Sequence, residues 1–229
     1  MPRYDYVLFD ADNTLFDFDR AEHLALGNIL EDFGLPVTEE VRQTYLTINR
    51  ALWAACDRGE TDRDTLMVER FRLLLEKLGR TGDPAAMNRR YLDRLGDYSH
   101  AIAGAEALCA ALAERCTLAI VTNGITRTQR RRYEASRLKQ YIPHLFISQE
   151  LGLQKPQREY FERVLSALGV ADRSRTVVVG DSLTADIQGA VNAGLDSIWY
   201  DPKGLPVPDT AAPTYTARTL EEVGRIILG

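Results

Sequence analysis

The chain has 229 residues, of which 45% are hydrophobic and 27% are charged, a composition typical of a globular protein with one large core or two smaller ones. Its formal net charge of -5 at pH 7 argues against a nucleic-acid backbone as the main partner, but it is compatible with a small anionic substrate in a local positive pocket. No apolar run approaches the roughly 18 residues of a membrane span, so we expect no membrane partner.

The cellular location is predicted from the first residues and from the cysteines. The sequence MPRYDYVLFDAD leads into an apolar strand that contains acidic residues, which is not the pattern of a signal peptide. Cys56, Cys109 and Cys116 are odd in number and form no CxxC pair. We therefore expect reduced thiols in a cytoplasmic protein. The oligomeric state is not predicted by any feature of the sequence.

The N-terminal part of the chain predicts one strand followed by helices. A buried strand is expected at residues 4–9, and a helical pattern extends from about residue 20 to residue 94, with breaks at 34–36, 57–64 and 79–84. The helical spacing is carried by Leu26, Ile29, Leu30 and Phe33, by Val41, Tyr45, Ile48 and Leu52, and by Met67, Phe71, Leu74, Leu75 and Leu78.

Strands and helices alternate from residue 95 onward. Strands are predicted at 117–121, 144–148, 176–180 and 196–200, and helices near 104–114, 126–138, 157–168, 184–193 and 219–228. Short Val- and Ile-rich strands between helices indicate a parallel sheet covered on both faces. We therefore predict an α/β fold, in which a Rossmann-like parallel-sheet core of residues 1–17 and 95–229 carries an inserted helical-bundle cap of residues 18–94.

Polar residues follow several of the predicted strands, and in parallel sheets ligands bind beyond the carboxyl ends of the strands. Three carboxylates converging without a Cys or His cluster are typical of a Mg²⁺ site, whereas His23, His100 and His144 lack the spacing of zinc ligands. A Mg²⁺ ion would also allow two neighbouring aspartates to remain ionised. The residues expected at this edge are Asp10, Asp12, Thr122, Asn123, Gly124, Lys155, Asp181 and Asp186, of which the four aspartates are the candidate metal ligands.

Phosphoryl transfer is the chemistry that this set of residues favours. Asp10 is the candidate nucleophile, which would take up the phosphoryl group, and Asp12 is the candidate acid and base for the leaving oxygen and the attacking water. Thr122 and the amides of Asn123 and Gly124 are expected to bind phosphate oxygens. Lys155 is expected to balance the charge on the nucleophile and the phosphate, so it is counted among the catalytic residues together with Thr122.

Structural roles remain open for several of these residues. Asp and Lys are common at the ends of strands, Thr122 is also placed to cap the following helix, and Asp186 is also placed to brace the helix after it rather than to ligate the metal. The basic run RTQRRRYEASR at 127–137 is more typical of a solvent-facing helix surface than of a nucleic-acid site.

Candidate substrate contacts outside these loops are Asn49, Trp53 and Phe16. A nucleobase can stack on an indole and bond to an amide, but a Trp at the position of Trp53 on a cap helix is more typical of packing in the cap core. Phe16 and Phe18 follow the first acidic pair and are expected either to line the substrate entrance or to pack the hinge of the cap.

The four strand-end segments resemble the motifs of the haloacid dehalogenase-like superfamily. They are DADNT (10–14), VTNG (121–124), GLQKP (152–156) and GDSLTAD (180–186), in that order and each after a predicted strand. The resemblance implies that Asp10 is the nucleophile, Asp12 the acid/base, Thr122 and Lys155 phosphate ligands and Asp181 a metal ligand, with Asp186 matching the second acid of the last motif. The helical insertion resembles the superfamily's C1-type cap.

Within that superfamily, the chain is similar to the cytosolic pyrimidine 5'-nucleotidases over nearly its whole length. The similar stretches are FDADNTLFDFD, NRALWAACDRGE, IVTNGITRTQRRR, ISQELGLQKP and VVVGDSLTADIQGAVNAGL. This resemblance implies Mg²⁺-dependent hydrolysis of nucleoside monophosphates such as dUMP, dTMP or UMP through an aspartyl phosphate. It also suggests a house-cleaning role against non-standard pyrimidine nucleotides.

Three other functions fit part of the pattern. A phosphatase for phosphoglycolate or a sugar phosphate would keep the same site with a different cap. A dehalogenase would use the Asp10 nucleophile, but it would need neither Asp12 nor a metal site, because a halide leaving group takes up no proton. A receiver-like signalling domain also combines acidic residues with a Thr and a Lys, yet receivers are about half this length and lack a helical insertion.

Overall fold

The computed structural model describes residues 2–57, 60–206 and 212–229. The chain forms two compact units, one made of Met1–Phe18 with Ser99–Gly229 and the other of Asp19–Tyr98. None of the helices in the described part of the chain combines the length and apolar character that a membrane crossing needs.

The larger unit is built on a parallel sheet, which confirms the predicted α/β fold. Its strands in the described residues are β1 (Tyr6–Phe9), β2 (Thr117–Thr122), β3 (His144–Ile147), β4 (Thr176–Gly180), β5 (Asp196–Tyr200) and β6 (Tyr215–Ala217). They lie in the order β3-β2-β1-β4-β5-β6, and every neighbouring pair is parallel. Strand β2 therefore lies on one side of β1 and strand β4 on the other, so the strand order reverses at β1. In an open α/β sheet, ligands usually bind in the crevice at such a reversal of strand order.

The strands are almost continuously apolar because both faces of the sheet are covered. Val7 and Phe9 belong to the core on one face, and Leu8 belongs to the core on the other. The helices of this unit are α5 (Ala105–Ala113), α6 (Thr126–Ala135), α7 (Ser148–Leu151), α8 (Arg158–Leu168), α9 (Gln188–Ala193) and α10 (Leu220–Leu228).

The smaller unit consists of four helices in the described residues: α1 (Phe18–Asp32, whose first residue belongs to the larger unit), α2 (Glu39–Asp57), α3 (Arg63–Lys77) and α4 (Pro84–Asp97). Two of them begin at aspartate caps, since Asp62 accepts from the Thr65 amide at 2.8 Å and Asp83 from the Ala86 amide at 3.0 Å. Its centre holds a cluster of rings from Tyr45, Phe71 and Tyr91, with centroids 5.4 to 5.9 Å apart.

Several boundaries differ from the sequence prediction. The expected domain boundary at residues 94 and 95 falls inside α4, because the buried positions Met87, Tyr91 and Leu95 continue the helical spacing, and the units divide at residues 98 and 99 instead. The first strand begins at Tyr6 rather than at residue 4, and α6 ends at Ala135, before a short 3-10 turn at Arg137–Gln140.

The short elements α7 and β6 were not predicted. The predicted helix at 184–193 is in fact a widened turn at Leu183–Ile187 that leads into α9.

Candidate active site

The candidate active site lies at the carboxyl ends of the three central strands. Phe9, the last residue of β1, is in register with Ile120 of β2 and Val179 of β4, so these strands end side by side. The Asp10 amide extends the pairing by donating to the Val179 carbonyl at 2.8 Å. Residues that follow β1, β2 and β4 are therefore brought to one edge of the sheet.

Lys155 links two of the predicted acidic residues. Its ammonium Nζ donates to Asp10 Oδ1 at 2.5 Å, to Asp186 Oδ1 at 2.6 Å and to the Val121 carbonyl at 2.9 Å. The side chains of Lys155 and Asp186 are 2% and 1% exposed, and that of Asp10 is 11% exposed. Such a buried ammonium is tolerated because charged or polar acceptors surround it.

The backbone of Lys155 is fixed by Asn123. The Asn123 side-chain amide donates to the Lys155 carbonyl at 2.9 Å, and its oxygen accepts from the Lys155 amide at 3.0 Å. This pair of bonds ties the loop after β2 to the loop that carries the lysine. Asn123 therefore holds Lys155 in place through its side chain, whereas the sequence predicted a role only for its backbone N–H, as a phosphate ligand.

Three carboxylates form a group that fits a divalent metal ion. Asp10, Asp181 and Asp186 each present an oxygen within 4.8 Å of the others. With Lys155 included, the group carries two net negative charges when all three acids are ionised, which one divalent cation would neutralise. Because the donors are all hard oxygens, the group suits Mg²⁺ rather than zinc.

The local structure explains how Asp181 and Asp186 reach this group. The Asp181 carbonyl accepts a bond from the Trp199 indole N–H at 2.9 Å, which anchors the loop after β4 to β5. The Ser182 amide donates to Asp186 Oδ2 at 3.1 Å, so the widened turn folds the second acid back towards the first.

The pKa values reflect an excess of negative charge in this buried group. Burial raises the pKa of the Asp10 carboxyl well above its usual range, against the opposing attraction of Lys155. Burial, together with repulsion from Asp186, raises the pKa of Asp181 to about 7. Burial alone would lower the pKa of Lys155, but Asp10 and Asp186 outweigh it and the pKa is raised. The site therefore favours binding of a cation, whether a proton or a metal ion.

Thr122 lies at the end of β2 and is 1% exposed. Its hydroxyl oxygen accepts from the Gly124 amide at 3.0 Å, which shapes the tight loop after the strand. The first residue before α6 is Ile125, so Thr122 is not the cap of that helix, and this alternative was wrong.

Asp12 is not part of the three-acid group, which departs from its predicted place among the metal ligands. Its two carboxylate oxygens accept hydrogen bonds from side chains of α6 instead. Oδ2 accepts from the side-chain amide of Gln129 at 2.6 Å, and Oδ1 accepts from the guanidinium of Arg132. The loop turns towards α6 at Asn13, whose φ of 59° lies in the left-handed region that Asn tolerates.

The predicted substrate residues lie in different surroundings. Phe16 is only 1% exposed and packs in the core of the larger unit, which contradicts the first of its two predicted alternatives, a position at the substrate entrance. Asn49 is buried, and its amide donates to Glu22 at 3.1 Å and accepts from Arg70 at 3.4 Å, which occupies both ends of the side chain. Trp53 is half-buried, with the Arg63 guanidinium 5.9 Å from the centre of its ring.

Sequence reasoning missed Gln129 and Arg132. The run that contains them was expected to face solvent, but Gln129 is 3% exposed and Arg132 is fully buried. Two polar residues three positions apart share one helix face, and that spacing was the available signal.

Comparisons with known proteins agree with this geometry. Residues 4–194 match the model of the haloacid dehalogenase-like hydrolase family, and the chain belongs to that family. It is 39% identical to YfnB of Bacillus subtilis over 227 residues, covering 99% of this chain and 97% of that protein. The crystal structure of YfnB, which is bound to magnesium, superposes with a TM-score of 0.94 over 98% of both chains.

Two further relatives carry the name pyrimidine 5'-nucleotidase. PynA of Streptococcus pneumoniae is 36% identical over 221 residues, covering 96% of this chain and 93% of PynA. YjjG of Escherichia coli is 32% identical over 225 residues, covering 98% of both chains. The protein is thus a hydrolase of the haloacid dehalogenase-like family with close nucleotidase relatives.

Proposed function

We propose that the protein is a Mg²⁺-dependent phosphomonoesterase that hydrolyses pyrimidine nucleoside 5'-monophosphates such as dUMP, dTMP and UMP. The observation that carries the proposal is the Lys155 ammonium, which bridges Asp10 and Asp186 beside the third carboxylate of Asp181. This arrangement supplies a nucleophile, a counter-charge and a metal site within one edge of the sheet.

Asp10 is the proposed nucleophile. Lys155 binds its Oδ1, which leaves Oδ2 to attack phosphorus and form an aspartyl phosphate while the bond to the ester oxygen breaks. A carboxylate and a phosphate about 4 Å apart repel each other by roughly 4 kcal/mol at an effective dielectric constant of 20. The ammonium of Lys155 offsets much of that repulsion, which explains why it is buried against the nucleophile.

The remaining groups bind the phosphate and move protons. The Thr122 hydroxyl and the backbone amide of Asn123 bind phosphate oxygens at the end of β2. The backbone amide of Gly124, which donates to the Thr122 hydroxyl oxygen in this structure, also binds the phosphate when that hydrogen bond is exchanged. Asp12 protonates the leaving oxygen and then removes a proton from the water that hydrolyses the aspartyl phosphate.

The metal ligands are Asp10, Asp181 and Asp186. When bound, Mg²⁺ would neutralise the charge that accumulates on the phosphoryl oxygens. Asp186 also accepts from Lys155 and the Ser182 amide, so it both contributes charge to the site and holds the loop.

The preference for pyrimidine nucleotides is supported by the relatives PynA and YjjG, whose names state that activity and whose similarity extends through the helical unit. A cytoplasmic location is supported by Cys56, Cys109 and Cys116, which are all free thiols.

The proposal is tested by phosphate release from a panel of monophosphates in Mg²⁺ and in EDTA. The panel sets dUMP, dTMP and UMP against AMP, phosphoglycolate and ribose 5-phosphate, with Asp10→Asn as the inactive control. We expect Mg²⁺-dependent release with the highest kcat/KM for the pyrimidine nucleotides and a loss of at least about 10⁴-fold in Asp10→Asn.

Each other outcome removes a defined part of the proposal. Metal-dependent release that favours phosphoglycolate or ribose 5-phosphate would reject the nucleotidase assignment. Release that persists in Asp10→Asn would reject the nucleophile, and release unaffected by EDTA would reject the metal. If no phosphate is released from any substrate, the phosphatase assignment fails.

A further inference from the structure

The Asp12 carboxylate is held at both of its oxygens by one helix. Gln129 and Arg132 lie three residues apart on α6, and their side chains reach Asp12 Oδ2 and Oδ1 respectively. Asp12 itself is 26% exposed at its side chain, so one side of the carboxylate faces solvent while α6 occupies the other. This arrangement orients a group that must still reach a substrate.

Arg132 has contacts besides the one with Asp12. It is fully buried, and its guanidinium lies 4.8 Å from the ring centre of Phe16 and 6.0 Å from that of Phe18. Both rings belong to the segment that follows Asp12 in the chain. A guanidinium stacked on aromatic faces loses little further freedom when it binds a carboxylate, and it therefore acts as a rigid donor.

The Gln129 side chain packs against Gly124, which has no side chain of its own. A Cβ atom on Gly124 would lie 2.2 Å from the Gln129 Nε2 and 2.6 Å from its Cγ, so any other residue at this position would force the glutamine side chain to shift. The loop of the proposed phosphate site thus packs directly against the amide that binds Asp12. Gly124, whose backbone amide is a proposed phosphate ligand, thus also leaves room for the Gln129 side chain that binds Asp12.

We propose that Gln129 and Arg132 are positioning residues that orient Asp12 for the second half of the reaction, the hydrolysis of the aspartyl phosphate. N–H donors at both oxygens fit a carboxylate, and each oxygen keeps another lone pair for a proton. In that step Asp12 takes a proton from water as the water oxygen bonds to phosphorus. The bond between phosphorus and the Asp10 oxygen breaks, which regenerates the Asp10 carboxylate and releases inorganic phosphate.

This inference rests on the proposed phosphomonoesterase activity, and p-nitrophenyl phosphate separates the two. Its leaving group needs no protonation, so kcat/KM for this ester reports phosphoryl transfer to Asp10 with little demand on Asp12. The kcat includes the later hydrolysis, which does need Asp12. A defect in orientation should therefore lower kcat and leave kcat/KM nearly unchanged.

The experiment uses Gln129→Leu, which keeps most of the side-chain volume and removes the donor, in the Mg²⁺-loaded full-length enzyme. We expect kcat to fall about tenfold or more, and kcat/KM to change by less than about threefold. The expected fall in kcat is smaller than the rate enhancement of about 10²–10⁴-fold that a complete acid–base group provides, because Asp12 itself is still present. Rapid mixing should show a burst of p-nitrophenol approaching one equivalent per site, because the aspartyl phosphate accumulates. Arg132→Lys should give the same pattern if it folds.

Two variants serve as controls, one at Gln149 of α7 and one at Arg130 of α6. Gln149→Leu removes the side-chain oxygen that accepts from the Thr126 amide at 2.8 Å, and so weakens the start of α6 without touching Asp12. Arg130→Lys changes an exposed arginine that pairs with Glu150. Both should retain wild-type kcat and show no burst.

Loss of kcat and kcat/KM by the same factor in Gln129→Leu, without a burst, would overturn the inference, and so would unchanged kcat. Absence of p-nitrophenol release from the wild-type enzyme under the same conditions would instead count against the proposed function.

Discussion

A Cβ atom on Gly180 would lie 2.2 Å from the Asp186 carboxylate, so the last residue of β4 leaves the space that the acid occupies. Asp186 cannot move aside without cost, because Lys155 and the Ser182 amide hold its two oxygens. The glycine is therefore part of the construction of the acidic site, although it carries no functional group.

Substitution of Gly180 by Ala should therefore impair metal binding. We expect the added methyl group to displace Asp186 and to weaken the apparent affinity for Mg²⁺ by at least about tenfold, with a loss of phosphate release. The affinity is measured by the rise in melting temperature with Mg²⁺ concentration, since a ligand that binds only the folded state stabilises it by mass action.

The control for this substitution is Gly34→Ala. Gly34 has a φ of 64° and no atom within 4 Å of an added Cβ. Its replacement should reduce stability by about 1 kcal/mol through backbone strain, while the Mg²⁺ response stays intact. An unaltered Mg²⁺ response in Gly180→Ala would show that Asp186 does not contribute to the site.

The sheet and the acidic edge could be predicted from the sequence because each depends on local signals. Continuous apolar runs such as VVV at 177–179 identify buried parallel strands, and a polar residue directly after such a run must lie at the carboxyl edge. The positions of Asp10 and Asp181 follow from that rule, because each comes directly after its strand, whereas Lys155 and Asp186 come several residues after the ends of β3 and β4. The short elements α7 and β6 have too few residues for a periodic pattern.

The contacts of α6 could not be predicted in this way. Its sequence, TRTQRRRYEA, is so polar that a solvent-facing helix is the expected interpretation. Arg132 is buried because its charge is matched by Asp12, which lies 120 residues away in the chain. An ion pair with one buried partner depends on which loop meets which helix, and no local pattern encodes that.

Loss of the Lys155 charge should destabilise the metal-free protein. In Lys155→Met the three carboxylates lose their buried counter-charge, and we expect the free energy of unfolding to fall by about 3–5 kcal/mol at pH 8 in EDTA. The deficit should shrink towards pH 5, because the raised pKa values of Asp10 and Asp181 allow protons to replace the ammonium. Urea unfolding followed by circular dichroism measures both effects.

Lys139→Met is the matched control, since Lys139 pairs with Glu134 and both side chains are about half exposed. Its free energy of unfolding should change by less than about 0.5 kcal/mol at either pH. If Lys155→Met were no more destabilising than this variant, Lys155 would not be the counter-charge of the buried acids.

Glu22 should make the stability of the protein depend on pH. Burial raises its pKa, and the hydrogen bond from Tyr91 and the charge of Arg70 compensate only in part. The folded state therefore retains the Glu22 proton to higher pH than the unfolded chain does. This contribution to stability is complete below the unfolded pKa and is lost as pH rises through the folded pKa, with a slope of at most about 1.4 kcal/mol per pH unit.

Glu22→Gln should remove this contribution and flatten the dependence of the urea midpoint on pH in that window. Glu69→Gln provides a control of opposite sign, because a hydrogen bond from Arg72 lowers the pKa of Glu69. The stabilisation by Glu69 is present above its unfolded pKa and is lost as pH falls. If the urea midpoint of Glu22→Gln depended on pH as in the wild-type protein, Glu22 would not be the group whose titration causes this dependence.

Trp53 is the cap residue through which base stacking can be tested. Its indole is half-buried, and the Arg63 guanidinium lies 5.9 Å from the centre of its ring, so part of the ring stays accessible. If a pyrimidine stacks on it, Trp53→Ala should raise KM for UMP about tenfold, within the about 1–3 kcal/mol that stacking of a base contributes. The value of kcat should change little.

Ribose 5-phosphate separates stacking from packing, because it has the sugar and phosphate but no base. Its KM should stay within about twofold in Trp53→Ala if the indole contacts the base alone. Val68→Ala, which truncates a side chain that is 37% exposed, controls for a general disturbance of the helical unit. A parallel rise in KM for UMP and ribose 5-phosphate would assign Trp53 to the packing of the cap, since loss of a base contact cannot weaken a substrate that has no base.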